Sequence, residues 1–135
     1  MLRIMSDNDV RGHVARLIDL CQTPAWLELW QGLECVVLTF AELGLAEDSS
    51  DDVVWRTCQD SGVILITGNR NADSPESLEA VIQREGRPNS LPVLTLADRD
   101  RIVRDRTYAE SAVERLLEVL LEIEDLRGTG RLFLP

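Results

Sequence analysis

The sequence predicts an α/β fold: a three-layer α/β/α sandwich around a mostly parallel sheet of about four to five strands. Three observations carry this. Short segments rich in β-branched residues alternate with segments whose apolar residues recur at helical spacing. The strongest strand candidate, Val63 to Thr67, reads Val-Ile-Leu-Ile-Thr and is continuously apolar, as a strand covered on both faces must be. The length of 135 residues, 44% of them hydrophobic, suits a single domain over 1–135 with a core of its own.

The elements follow in order. Leu2 to Ser6 is a first short strand. From Asp9 to Cys21 the apolar residues Val10, Val14, Leu17, Ile18 and Cys21 share one helix face. Thr23-Pro24 opens a second short helix, since proline suits a first turn; it carries Trp26, Leu27 and Trp30 and ends near Gly32. Cys35 to Thr39 reads as a buried strand from its β-branched content. Leu43 to Ser50 is a loop. Ser50 or Asp51 then caps a helix to about Asp60, with Asp51 and Asp52 in its first turn favouring the dipole and Gly62 ending it. Beyond the Val63–Thr67 strand, Gly68 to Ser74 is a polar loop and Pro75 to Glu85 a helix, stopped by Gly86 and Pro88. Leu91 to Leu96 is a further buried strand. Asp98 to Asp105 is a charged connection that can already be helical. The long helix runs from about Tyr108 to Leu126. It turns Ala109, Ala112, Val113, Leu116, Leu117 and Leu120 inward and Glu110, Glu114, Glu118 and Glu122 to water. Gly128 and Gly130 stop it, and Arg131 to Leu134 returns as an edge strand.

Composition excludes several functions. The net charge of -10 works against casual binding to nucleic acid or anionic membrane. All 14 basic residues are Arg, so a GxxxxGK phosphate loop is impossible, and GxGxxG does not occur either. A receiver-like signalling domain needs a Lys and is discounted for the same reason. Cys21, Cys35 and Cys58 have no CxxC spacing and read as core thiols in a reducing compartment. The first residues lack the apolar stretch of a signal peptide, and no apolar run approaches transmembrane length. The expected location is cytoplasmic, without a membrane partner. Six aromatic residues are too few for a base-stacking platform.

Right-handed crossovers place the carboxyl ends of parallel strands on one edge of the sheet, where ligands of such folds bind. Polar residues collect there. The first strand ends at Asp7-Asn8-Asp9. The Val63–Thr67 strand ends at Gly68-Asn69-Arg70-Asn71, with Asp73 beyond. The Leu91–Leu96 strand ends at Asp98-Arg99-Asp100, and Asp51 and Asp52 open the helix before the third strand. Each has an ordinary reading as a helix cap or turn residue. Together they make an oxygen-rich edge suited to a hard divalent cation, and a pair of such ions can activate water against a phosphodiester.

The segments Ser-Asp-Asn-Asp-Val (6–10), Glu-Leu-Gly-Leu-Ala (42–46), Ser-Asp-Asp-Val-Val (50–54) and Val-Ile-Leu-Ile-Thr-Gly-Asn-Arg-Asn (63–71) resemble, in order and spacing, the bacterial PIN-like proteins. These are small relatives of the PIN-domain ribonuclease toxins. The resemblance covers residues 1–73 and is vague from 74 to 135. It implies a PIN-like fold, acidic residues holding Mg²⁺ or Mn²⁺, and cleavage of single-stranded RNA. It also implies a toxin–antitoxin setting with an antitoxin-like partner protein, and a homodimer to which Trp26 and Trp30 can contribute. Asp7 takes the family's first acidic position and Asp51 or Asp52 the second. Asn69 and Asn71 stand where the family has two aspartates, and an amide oxygen can ligate a metal without bringing charge. The implied catalytic set is Asp7, Asp51, Asp52 and Asn69; the metal set adds Asn71. Asp9, Asp73, Asp98 and Asp100 are candidates for support by position alone.

Arg70, Arg99 and Arg101 are candidate phosphate contacts beside this edge. Interleaved with Asp98, Asp100 and Asp105, the arginines of 99–106 also read as a solvated helix start with local ion pairs. His13, the only His, flanks the first helix's core face and has no partner in the sequence for nucleophilic catalysis. Two functions are therefore expected. One is a metal-dependent ribonuclease weakened by Asn69 and Asn71. The other is a catalytically silent PIN-like module that binds a partner protein or nucleic acid.

Overall fold

The computed structural model describes residues 1–70 and 72–135. Among them, five strands form one sheet: β1 (Arg3–Ser6), β2 (Val36–Leu38), β3 (Ile64–Thr67), β4 (Val93–Leu96) and β5 (Arg131–Leu134). The order is β2-β1-β3-β4-β5 and every pairing is parallel. Six helices alternate with them: α1 (Arg11–Cys21), α2 (Leu27–Leu33), α3 (Asp51–Ser61), α4 (Leu78–Glu85), α5 (Arg99–Arg104) and α6 (Arg106–Leu121). The α/β class and the three layers are as the alternation predicts.

Two apolar layers hold the sandwich. On one face Ile4, Ile64, Ile66, Leu94 and Leu134 pack under α1, α2, α5 and α6 through Val14, Leu17, Trp30, Ile102, Leu116 and Leu117. On the other, Met5, Leu65 and Val93 pack under α3 and α4 through Val54, Trp55, Cys58, Val81 and Ile82. The alternation of Ile4 with Met5 and of Ile64 with Leu65 is the period-two rule of a strand between two layers. Burial pushes the thiols of Cys21 and Cys58 up to about 12 and that of Cys35 to about 11, which makes them packing residues and poor nucleophiles.

Four local expectations are corrected. Thr23 and Pro24 do not start α2. The Thr23 hydroxyl and N–H both return to Leu20 O, at 2.6 and 3.1 Å, and Thr23 O accepts from Trp26 and Leu27, so residues 23–26 form a turn. α4 starts at Leu78, where Ser77 Oγ accepts the Ala80 N–H at 3.3 Å. The charged connection is helical, as its sequence allowed: α5 is capped by Asp98, and Asp105 breaks it from α6 by capping the latter through the Tyr108 N–H at 3.1 Å. The long helix itself ends at Leu121, and Ile123–Leu126 is a 3-10 turn. Finally, β2 is not buried: Val36 and Val37 are 37% and 42% exposed on the sheet's outer edge. β-Branched content marks a strand but does not separate an edge from a centre.

The strand order sets the site. From β1 the chain moves outward to β2, then crosses back over β1 to β3. The direction of winding reverses between β1 and β3, and a crevice opens at their carboxyl ends.

Candidate functional site

β1 delivers Asp7 to that crevice. Its N–H donates to Ile66 O at 2.7 Å, so the β1–β3 ladder extends one residue past Ser6 and holds Asp7 against β3. Asp7 is only 9% exposed. Its Oδ1 accepts the Asn8 N–H and its Oδ2 accepts the Thr67 hydroxyl, both at 2.9 Å. Thr67 is fully buried at the end of β3, and its Oγ1 also accepts the Asn69 N–H at 3.0 Å. A hydroxyl has one proton, so accepting from Asn69 leaves that proton directed at Asp7. Burial raises the Asp7 carboxyl above its ordinary range. The Thr67 and Asn8 hydrogen bonds oppose the rise, and the nearby Asp9 and Asp51 carboxylates add to it.

α3 supplies Asp51 as its first residue, and Asp51 Oδ2 accepts the Asn69 side-chain N–H at 2.8 Å. α5 supplies Arg99, whose Nη1 donates to Asp9 Oδ2 and Asp9 O, both at 3.3 Å. Gly68 lets these groups close in. A Cβ there would lie 3.0 Å from Val10 Cγ1, 3.2 Å from Asp9 Oδ2 and 3.3 Å from Arg99 Nη1. The Asn8 side chain donates to Glu47 O at 2.7 Å and ties the loop before α3 to the end of β1.

Of the residues expected from the sequence, Asp7, Asp9, Asp51, Asn69, Arg70 and Arg99 line one open cavity of about 410 Å³. The others lie elsewhere. Asp52 turns along α3, where it accepts the Ser50 hydroxyl at 2.6 Å and Arg56 Nη1 at 3.1 Å. Asp73 is exposed and does not line the cavity. Asp98 caps α5 and Asp100 sits in its first turn, both exposed. Arg101 pairs with Asp105 at 3.1 Å and lies 4.3 Å over the Tyr108 ring, as the local ion-pair reading expects. Asn71 falls outside the described residues. His13 does not line the cavity; its Nδ1 is buried without a hydrogen-bond partner among the described residues. The sequence reading missed Thr67 and Arg131 beneath the cavity. A Thr ending an otherwise apolar buried strand was a signal, since a buried hydroxyl needs a partner.

Two larger cavities, about 480 and 620 Å³, lie at the opposite edge around Arg87, Leu91 and Arg127. Glu85, which lines one, is already paired with Arg56 and Arg84. The smaller cavity is the candidate site, because it sits at the switch point and carries the converging carboxylates.

The resemblance implies Mg²⁺ or Mn²⁺, and the donors test that. Among the described residues no group of three His, Cys, Asp or Glu side chains stands close enough to hold an ion. Asp7 and Asp51 are the cavity carboxylates without an ion-pair partner among the described residues, since Asp9 pairs with Arg99. Mg²⁺ commonly takes one or two carboxylates, with waters and substrate phosphates completing its shell. Two carboxylates match that number, and the described residues form no closed protein cage. Among the described residues no helix is long and apolar enough to cross a membrane. Comparison of the chain with family models, with curated proteins and with solved structures finds no match.

Proposed function

We propose that the chain is a PIN-like domain acting on RNA. Asp7 and Asp51 hold Mg²⁺ or Mn²⁺ jointly with a phosphate of single-stranded RNA, and hydrolysis is weakened by the amides at 69 and 71. The observation that supports this most is the placement of Asp7. It is a carboxylate at the switch point made costly by burial and by Asp9 and Asp51. A residue present only to cap or brace would be expected to be lowered by its partners, as Asp52 and Asp105 are. When bound, a divalent cation supplies Lewis acidity and lowers the pKa of water. The chain's own residues do the rest. Thr67 orients Asp7, Asn69 holds Asp51, and Arg70 and Arg99 stand at the cavity for phosphate oxygens.

A second reading, a catalytically silent module that binds a partner protein or nucleic acid, is favoured by a different observation. Thr67 and Asn8 donate to Asp7, Asn69 to Asp51 and Arg99 to Asp9, so all three carboxylates have partners within the chain.

Calorimetric titration of Mn²⁺ separates the two, run on wild type and Asp7→Ala, each alone and with a short single-stranded RNA. The metal reading expects binding by wild type that tightens with RNA and disappears in Asp7→Ala, followed by cleavage of the RNA. Binding without cleavage assigns the silent module. No binding by folded wild type under either condition overturns the metal site.

A further inference from the structure

The cavity is built by β1, α3, β3 and α5, yet the hydrogen bonds beneath it lead to β5. Arg131 opens β5 in register with Val93, at the amino end of the strand. Its side chain reaches forward: Nη1 donates to Thr95 Oγ1 at 2.6 Å and to Asn69 O at 2.8 Å, and Nε donates to Glu79 on α4 at 3.2 Å. The side chain is 9% exposed, and Nη2 is buried without a hydrogen-bond partner among the described residues. A buried guanidinium is costly unless its surroundings use it. A simple tie between β5 and α4 needs only the Glu79 contact. The bond to Asn69 O does something else, because Asn69 is where both branches of the site meet. Its N–H sets the Thr67 hydroxyl toward Asp7, and its amide holds Asp51.

We infer that Arg131 is the positioning residue of the carboxyl-edge site, clamping the Asn69 peptide so that Asn69 serves Thr67–Asp7 and Asp51 together. Its relevance to function rests on the reading of that edge as the RNA site; the clamp itself does not. Gripping Asn69 from β5 also sets where the loop after β3 leaves the sheet, so the far edge strand fixes the geometry of the switch point.

Amide hydrogen exchange followed by NMR, without metal, tests the clamp in wild type, Arg131→Met and Glu79→Gln. In Arg131→Met the Asn69 backbone N–H is expected to exchange about tenfold faster, one decade of opening equilibrium. The Asn69 side-chain NH₂ resonances shift, and Leu65 and Leu94 keep their wild-type rates. Glu79→Gln leaves Asn69 unchanged, although it breaks the ion pair. Unchanged exchange at Asn69 in Arg131→Met overturns the inference. An equal rise at Leu65 and Leu94 does so too, since it makes Arg131 a general brace. Thr95→Val, which removes only one acceptor of the guanidinium, gives the same reading at smaller amplitude if Arg131→Met does not fold: a rise confined to Asn69 supports the clamp, and none overturns it. Because exchange is read without Mn²⁺, failure of wild type to bind Mn²⁺ removes the functional reading and leaves this result standing. Where wild type does bind, equal Mn²⁺ affinity in Arg131→Met overturns its role in the site.

Discussion

Asp51 and Asp52 are adjacent in the chain and belong to opposite charge systems. Asp51 faces the cavity with Asp7 and Asp9. Asp52 faces the outer surface of α3, where Arg56 bridges it to Glu85 on α4 at 3.1 and 2.5 Å. In the outer system the partners hold the acids down. The Ser50 hydroxyl lowers Asp52, and Arg56 holds Glu85 at about 2. At the crevice burial pushes Asp7 the other way. The outer charges are arranged for the folded chain's own benefit. Asp7 is kept at a cost to it, which is what a group reserved for an external partner looks like.

The largest expected effect breaks this contrast at Asp7. A group whose folded pKa lies above its unfolded value costs stability once it must ionise. The cost is absent below the ordinary carboxylate value and grows as pH rises through the raised one. Asp7→Asn should therefore melt higher than wild type at pH 7 and alike at acid pH. It should also lose Mn²⁺ binding in the presence of RNA by on the order of a hundredfold. A variant that melts lower at pH 7 would make Asp7 a brace, and the contrast would collapse.

Asn69→Asp sharpens the contrast from the other side. It restores the acidic residue of the resembled family and replaces the N–H that serves Asp51 with a like charge. Without metal the variant should melt lower than wild type, because the crevice gains repulsion. Mn²⁺ affinity should rise on the order of tenfold, since ligand charge tunes divalent binding. A fall in both would show that Asn69 belongs to the scaffold alone.

Glu85→Gln is the counter-experiment on the outer face, with the sign reversed. A depressed carboxyl contributes stability above its ordinary value of 4.5, and that contribution is lost as pH falls toward about 2. The variant should melt slightly lower than wild type at pH 7, converge with it near pH 2, and bind Mn²⁺ normally. The difference should shrink in 1 M salt, because the pair is exposed and screened.

How much of this was legible follows from where each signal lives. Strand and helix alternation is written locally, in β-branched runs and helical spacing, and it gave the class, the layers and Asp7 at the end of β1. Ser50-Asp51-Asp52 was legible as a helix start. Which aspartate enters the crevice was not, because successive helical residues differ by about 100° and only the seat of α3 on the sheet chooses between them. β2 was misread as buried because apolar β-branched residues look the same at an edge. Arg131 carried no signal at all. It lies 62 residues from Asn69, and only the order β3-β4-β5 brings the two together.

The smallest expected effect lies at Gly68, where the crevice meets the core. Its backbone is outside the positive-φ region, so alanine brings contact and no backbone strain. The new Cβ would press on Val10, which is fully buried, and on the Asp9–Arg99 pair, which is exposed and can give. If the pair yields, Gly68→Ala costs at most about 1 kcal/mol in urea unfolding, as surface changes do. Arg99 is then released from Asp9, and the dependence of RNA binding on salt should steepen by about one phosphate contact. An unchanged slope would mean that Arg99 serves Asp9 and never reaches phosphate. A loss of several kcal/mol would mean that Val10 yields first, and Gly68 would then belong to the packed core on the α1 side of the sheet.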